Sequence, residues 1–388
     1  MNVLISGGGI AGLAAALFLG RQGHHVRVID RAPSFRKAGY AISLKGFGIQ
    51  LMADLGLRDA LRRHALSYDR LCLYDSDARP LQVLSDELVE KITHGQVFTY
   101  RSELHAVLHE AACSALPPMG FGVHVTALDG DERGTRVTLS DGTVEDFDLV
   151  VVAEGMRSTT RNLLWGSEGQ RPLDVVYAAA TIDVAHGLDP RGAHGYFGES
   201  HNAAFLPIDD RRLLVQCYWR ARLDERPSSA AARTMLVETF RGFGPGVRRF
   251  LEAIAPDGDV FCDAVSMIVL PSRVRERVVL LGDAGYCPTF LSGMGASLGL
   301  LGAKLLSLCL PLQGGDVAAG LKRYDDTLRP VVEHFQANAL ANVDNALPTT
   351  HLKAVVRAWA MHLLPASLLA RHFGKQFDVE EKLLHGIV

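Results

Sequence analysis

The chain opens with an apolar run that shows no alternation, "NVLIS" from Asn2 to Ser6. A short, unalternating apolar segment predicts a strand buried on both faces, as in a parallel sheet. Three glycines follow, then "AGLAAALFLGRQG", whose Ala and Leu content and terminal Gly23 predict a helix. "HHVRVID" predicts a second strand, which completes a βαβ unit of about 30 residues. "FGVHVTALDG" and "TRVTLSDGTVEDFD" predict a β-meander turning at Asp129-Gly130 and Asp141-Gly142. Two apolar strands come later, in "DFDLVVVAEGMRSTTR" and in "RVVLLGDAGYCPTFLSGMGASLGLLGAKLL". The second leads into an irregular loop with Pro288 and then a long apolar helix.

Between these two segments the pattern changes. "YAAATIDV", "GAHGYFGE", "NAAFLPID" and "RLLVQCYWRA" predict strands of an antiparallel sheet. "AARTMLVETFRGFGPGVRRFLEAI" predicts helices. Tyr196, Phe197, Phe205, Tyr218 and Trp219 give this region aromatic surface, for which core packing is the expected use. The last fifty residues predict helices. "HLKAVVRAWAMHLLPASLLARHF", apolar with basic residues along it, could suggest a membrane-surface helix but is expected to pack on the body of the protein, with a break or kink at Pro365. No window approaches the roughly 20 uncharged apolar residues of a membrane span.

The glycines after the first strand carry candidate chemistry. Gly7, Gly9 and Gly12 form G-x-G-x-x-G between strand and helix. In that pattern the first glycine permits a tight turn, the second lets backbone approach a pyrophosphate, and the third lets helix and strand pack closely. The helix N-terminus offers free N–H groups and the positive end of its dipole. Asp30 ends the second strand, where an acid can accept hydrogen bonds from an adenosine ribose. Dinucleotide binding follows, with FAD and NAD both open at this point.

Composition adds bounds. At 388 residues the chain is expected to form two packed units. With 48% hydrophobic and 21% charged residues it is an ordinary folded chain, and a net charge of -3 gives no electrostatic case for nucleic acid. The start lacks the basic segment of a secretion signal. Six cysteines without a C-x-x-C pair are expected to be reduced, so a cytoplasmic location is expected. Adjacent His24 and His25 would point to opposite faces of a strand, which argues against shared metal ligation, and no metal site is expected.

Three ordered features resemble the single-component FAD-dependent aromatic hydroxylases, the para-hydroxybenzoate hydroxylase family. These are the N-terminal glycine pattern, Glu154-Gly155 after the meander, and Gly282-Asp283 before the glycine-opened helix. "YRSEL" resembles the family's helix whose arginine reaches the cofactor, here Arg101, and "DRAPSFRKAGYAISL" resembles its segment after the ribose-binding acid. The resemblance covers about residues 1 to 335. It implies an α/β fold, with a Rossmann-like FAD-binding domain of the glutathione-reductase type, an inserted antiparallel-sheet substrate domain and a helical C-terminus. The flavin domain is expected at 1–68, 100–165 and 276–335, the substrate domain at 69–99 and 166–275, and C-terminal helices at 336–388.

The implied cofactor contacts are Gly7, Gly9, Ile10, Ala11, Gly12, Asp30, Arg31, Arg101, Val125, Glu154, Gly155, Asp283, Pro288, Gly293, Gly295 and Ala296. Asp283 would hold the ribityl chain, and the loop from Pro288 to Gly295 would face the flavin pyrimidine ring. A helix N-terminus there suits the negative charge of reduced flavin. Two departures stand out: the family's D-G is Glu154-Gly155 here, and the histidine of its G-D-A-A-H is Tyr286, which could line the pocket or pack.

The implied activity is an FAD-dependent monooxygenase. It would use NAD(P)H, with NADPH favoured, and O₂ to hydroxylate an aromatic or polyketide-like small molecule through a C4a-hydroperoxyflavin. No catalytic acid or base is assigned. The alternatives are a reductase or dehydrogenase of the same fold, or a non-catalytic FAD-binding protein. A halogenase is disfavoured because Trp165, Trp219 and Trp359 are scattered.

Overall fold

The computed structural model describes residues 1–35, 40–44, 46–93, 96–289, 292–311, 315–365 and 368. The opening βαβ unit is β1 (Asn2–Ser6), α1 (Ile10–Arg21) and β2 (His25–Asp30). β1 pairs in parallel with β2 on one side and with the strand Leu149–Val152 on the other. That strand pairs in parallel with Val278–Leu280. Val274–Arg275 and Gly120–Phe121 complete a six-stranded sheet. Unbroken apolar runs form its middle because both faces are covered: Val3, Leu4, Ile5 and Leu149 to Val152 have no exposed surface. α1 is buried from Ile10 through Leu19 except at Ala11, which its Ala- and Leu-rich sequence allows.

This topology decides where the chemistry lies. The carboxyl ends of β1, β2, Leu149–Val152 and Val278–Leu280 lie along one edge of the sheet. At or just beyond these ends stand Gly7 to Gly12, Asp30, Glu154-Gly155 and Gly282-Asp283. Parallel pairing therefore gathers segments nearly 280 positions apart into one crevice, the usual ligand position in an open α/β sheet.

A second sheet of seven strands is mostly antiparallel. In spatial order its strands are Val260–Ile268, Gln170–Asp183, Arg212–Arg220, His201–Pro207, Gly192–Phe197, Arg70–Asp75 and Pro80–Leu84. Strand alternation splits its side chains between two faces. One face carries Val176, Ala178, Phe205, Cys217 and Trp219 into a core beneath the helices Ser229–Thr239 and Pro245–Glu252. The other carries Val175, Tyr177, Ala179, Tyr218, Phe261 and Val265, together with Tyr40, Val343 and Leu347.

Two expected boundaries shift. Val274–Arg275 pairs within the six-stranded sheet, and the helix Val317–Ala346 runs unbroken past residue 335 despite Pro330. The C-terminal carbonyls of that helix are well supplied. Asn202 and Arg357 donate to the Ala346 carbonyl, and Arg220 donates to that of Leu347. Cations there also complement the helix dipole.

The following helix, His351–Leu363, lies against the strand Pro80–Leu84, although none of its residues is fully buried. Leu352, Val356, Trp359 and Leu363 are exposed. It is held through Arg357, which donates to the Gly198 carbonyl and lies 5.3 Å from the Phe197 ring centre. The rest of the C-terminal segment, residues 366–367 and 369–388, lies outside the described residues. No helix among the described residues is long and apolar enough to cross a membrane.

Candidate active site

The glycine turn after β1 is fixed on both sides. The Gly7 N–H donates to the Ile29 carbonyl at 2.8 Å. Gly7 has φ +114, and a Cβ there would overlap the Ala153 carbonyl. A Cβ on Gly12 would overlap the carbonyl of Gly7, so helix and turn touch backbone to backbone. Gly9 differs: it caps α1, and a Cβ on it would meet nothing within 4 Å. Of the three positions, only Gly9 faces open space.

The next link is Ala11. A Cβ built on Gly282 would lie 2.8 Å from the Ala11 methyl, and one on Gly299 would lie 3.2 Å from it. The start of α1 therefore seats against the Gly282 turn and against the helix Gly295–Cys309. The N-terminus of that helix is close too, since a Cβ on Gly295 would sit 3.4 Å from Asp283 Oδ1. The motifs at 7–12, 282–283 and 295–299 thus meet within a few side-chain lengths.

Asp283 opens the short helix Asp283–Tyr286. Its carboxyl group is reachable by water yet deep among protein atoms, as at the floor of a crevice. This crowding raises its pKa, and Arg101 and a hydrogen bond from Cys287 oppose the shift. Tyr40 is pushed up to about 12 by burial, lowered in part by Arg101 and raised further by Asp283. Arg101, Asp283, Tyr40 and Cys287 therefore share one electrostatic neighbourhood. Pro288 follows at once, and Gly293 takes a left-handed φ of +64. Phe290 and Leu291, within the expected flavin-facing loop, lie outside the described residues. Arg31 is exposed, Gly155 has φ +78 with open space at its Cβ position, and Ala296 is partly buried. Ile10 and Val125 bury their side chains in cores, so only their backbone can meet a ligand.

Two expected roles take a different form, and the open role of Tyr286 is decided. The Asp30 carboxylate is not free for a ribose alone: Oδ2 accepts from the Gly8 N–H and Oδ1 from the Ala32 N–H, both at 2.8 Å. It shapes the glycine turn itself. Glu154 was expected to meet the cofactor, but its carboxylate is turned into a nest of internal donors. Ser6 Oγ and Thr160 Oγ1 donate to Oε1, and Ser158 Oγ and the Thr160 N–H donate to Oε2. Four donors fill the acceptor sites of one carboxylate. The extra methylene of Glu over Asp lets it span from β1 to the helix Thr159–Trp165. Tyr286 packs. It is fully buried, its hydroxyl donates to the Leu298 carbonyl at 3.5 Å, and it fits because Gly302 has no side chain.

The structure also shows residues that sequence reasoning missed. His105, one turn after Arg101, meets the Gly8 carbonyl at 2.6 Å through Nε2. Phe35 lies 4.8 Å from its ring and stacks on His109 at 4.2 Å. Tyr40, Tyr177 and Phe261 form an aromatic cluster on the sheet face turned to the crevice, with centroids 5.1 to 6.0 Å apart. Arg226 sits 4.7 Å above Phe261. Of the aromatics expected from sequence, Tyr218 joins this cluster, and Phe197 shares its face of the sheet. Tyr196, Phe205 and Trp219 pack beneath the helices, and Phe197 lies under Arg357. Alternation in "DVVYAAATID" reveals two faces but not which one meets the crevice. Beside this cluster, a cavity of about 720 Å³ is lined by Met156, Arg157, Val175, Arg226, Asp263 and neighbours. Arg157 and Asp263, both in its lining, form an ion pair at 2.5 Å. Among the described residues no cluster of three or more metal-ligating side chains occurs.

Comparison with known proteins matches this architecture. The model of the FAD binding domain family matches residues 1–339. The FAD-dependent monooxygenase asL6 of Sarocladium schorii is 30% identical over 374 residues, covering 87% of this chain and 86% of the relative. A flavin-dependent monooxygenase of Legionella longbeachae is 26% identical over 352 residues, covering 87% of each. Among solved structures, Klebsiella pneumoniae HpxO complexed with FAD and uric acid superposes with a TM-score of 0.84 at 22% identity, covering 97% of this chain and 96% of that one. The tetracycline destructase Tet(55) gives 0.80 at 24% identity, with the same coverage.

Proposed function

The chain belongs to the FAD binding domain family, and from that premise we propose an FAD-dependent monooxygenase acting on an aromatic or polyketide-like small molecule, with NAD(P)H as reductant. The observation that carries the reading is the meeting of three glycine motifs around Ala11, with Gly9 open to the crevice and Asp283 at its floor.

The residues suit FAD. Gly9 leaves room for a pyrophosphate at the N-terminus of α1, whose free N–H groups favour an anion. Arg101 adds a cation on the same side as Asp283, whose carboxylate can accept ribityl hydroxyls. The helix that begins at Gly295 turns its positive end toward the Asp283 floor, where negative charge on a flavin would be stabilised. FAD, once bound and reduced, supplies the activation of O₂ for transfer of one oxygen atom. The protein contributes position and dryness. Tyr40, Tyr177, Tyr218 and Phe261 offer an apolar, aromatic wall for a ring system, and the seven-stranded sheet shields it from water. Such a wall at a junction of two structural units is a usual place for a small ligand.

The test is anaerobic reduction of the FAD-loaded protein by NADPH, followed by oxygen and a panel of phenols and polyketide aromatics. Mass spectrometry of the products should show a gain of one oxygen atom that carries label from ¹⁸O₂. Reoxidation with no labelled product across the panel favours a reductase, and no reduction by NADPH or NADH removes the nicotinamide-dependent reading.

A further inference from the structure

The peptide between Gly8 and Gly9 is held from an unexpected quarter. Its carbonyl, that of Gly8, accepts a hydrogen bond from His105 Nε2 at 2.6 Å. A carbonyl can only accept, so the imidazole donates through Nε2–H. The preceding peptide is held from the other side, since the Gly8 N–H donates to Asp30 Oδ2 at 2.8 Å. Two consecutive peptide planes are therefore set by side chains, one from β2 and one from the helix Arg101–Ala115. A trans peptide is planar, with its C=O and N–H pointing in opposite directions. Drawing the Gly8 carbonyl toward His105 thus turns the Gly9 N–H away from that helix. Gly9 is also the position of the turn where a side chain would meet open space.

We propose that His105 is a positioning residue for the cofactor: its hydrogen bond to the Gly8 carbonyl aims the Gly9 N–H at the FAD pyrophosphate. The inference rests on the flavin reading above and adds to it a residue that the glycine pattern does not contain. The surroundings keep the imidazole in its role. Phe35 covers the ring, and burial lowers its pKa. Arg101 and His109 lower it further, while the bond to Gly8 and the Asp30 charge act in the opposite sense. A neutral Nε2–H tautomer satisfies the carbonyl without placing a second cation beside Arg101. Glycine has few intrinsic limits on its dihedral angles, so a turn of three glycines would otherwise sample other peptide orientations.

The experiment compares His105→Leu, which keeps bulk but has no donor, with His105→Gln, which restores an N–H donor. Each apoprotein is titrated with FAD, and separately with ADP, which carries the pyrophosphate without the flavin. Thermal melts of the apoproteins run in parallel. His105→Leu should weaken both ligands about tenfold, the size of one charge-assisted contact, while its apo melting point stays near wild type. His105→Gln should recover most of the affinity. Wild-type affinity in His105→Leu would overturn the inference, as would equal losses in the Leu and Gln variants. An effect on FAD without one on ADP would also overturn it, because the contact would then lie at the flavin end. Failure of the wild-type apoprotein to bind FAD at all would overturn the flavin reading itself.

Discussion

Replacing Glu154 separates two roles that sequence alone could not tell apart. If the carboxylate touched the cofactor, its loss would appear first in FAD affinity. The structure instead gives it four internal donors: the hydroxyls of Ser6, Ser158 and Thr160, and the Thr160 N–H. In Glu154→Ala the three hydroxyls can rotate toward other acceptors, but the backbone N–H cannot move. A hydrogen bond to a charged group contributes about 1.5–3 kcal/mol, so losing the fixed one and weakening three others should cost about 3–5 kcal/mol. Glu154→Gln keeps the length. Its oxygen can serve the Thr160 N–H, while its NH₂ faces hydroxyls able to accept, so the cost should be only about 1–2 kcal/mol. The assay is urea unfolding of the apoproteins followed by circular dichroism, paired with FAD titration by flavin fluorescence. FAD affinity of Glu154→Gln should stay within about threefold of wild type, under 1 kcal/mol. A Glu154→Gln protein of wild-type stability that loses FAD affinity tenfold or more would refute the anchoring role.

Other substitutions probe the same edge of the sheet and the core behind it. Gly9→Val should keep the fold and lose FAD, because its side chain enters open space, whereas Gly12→Val should unfold more readily by about 1–3 kcal/mol or more, because its Cβ falls on the Gly7 carbonyl. Comparing apo melting points with flavin content checks both, and the reverse pattern would sink the assignment. Asp283 has a raised pKa in the folded state, so ionising it opposes folding above the ordinary carboxylate value, and the cost grows as pH rises through the folded pKa. Asp283→Asn should therefore stabilise the apoprotein more at pH 8 than at pH 4 while weakening FAD, and melts that show no such pH trend would contradict this. Asp325 accepts from buried Arg273 at 3.0 Å and from Arg329 at 2.5 Å. Asp325→Leu leaves the Arg273 charge uncompensated and should cost about 3–5 kcal/mol in urea unfolding, so a loss below about 1 kcal/mol would show that water reaches this arginine.

The opening βαβ unit was legible because its signals are local. An unalternating apolar strand, an Ala- and Leu-rich helix and a glycine turn lie within thirty residues, and their periodicities differ. Gly7, Gly9 and Gly12 could be given distinct steric positions from spacing, since the turn permits few backbone paths. The gathering of Gly282-Asp283 with that turn could be expected from a family resemblance, but the pairings that do it join strands more than a hundred residues apart. Side-chain direction was the part that only the tertiary structure decided. Glu154 and Asp30 are acids at strand ends in any reading. Whether they meet a ligand or internal N–H and O–H groups depends on Ser6, Thr160 and Gly8, which the fold brings to them. Tyr286 packs because Gly302, on another helix, leaves space for its ring. His105 reaches Gly8 across 97 positions. Tyr177 faces the crevice and Trp219 the helices, because a strand's period of two defines opposite faces and says nothing about which is covered by what. Local physics sets the elements and their turns, while the partners of each polar group are fixed only when distant elements pack.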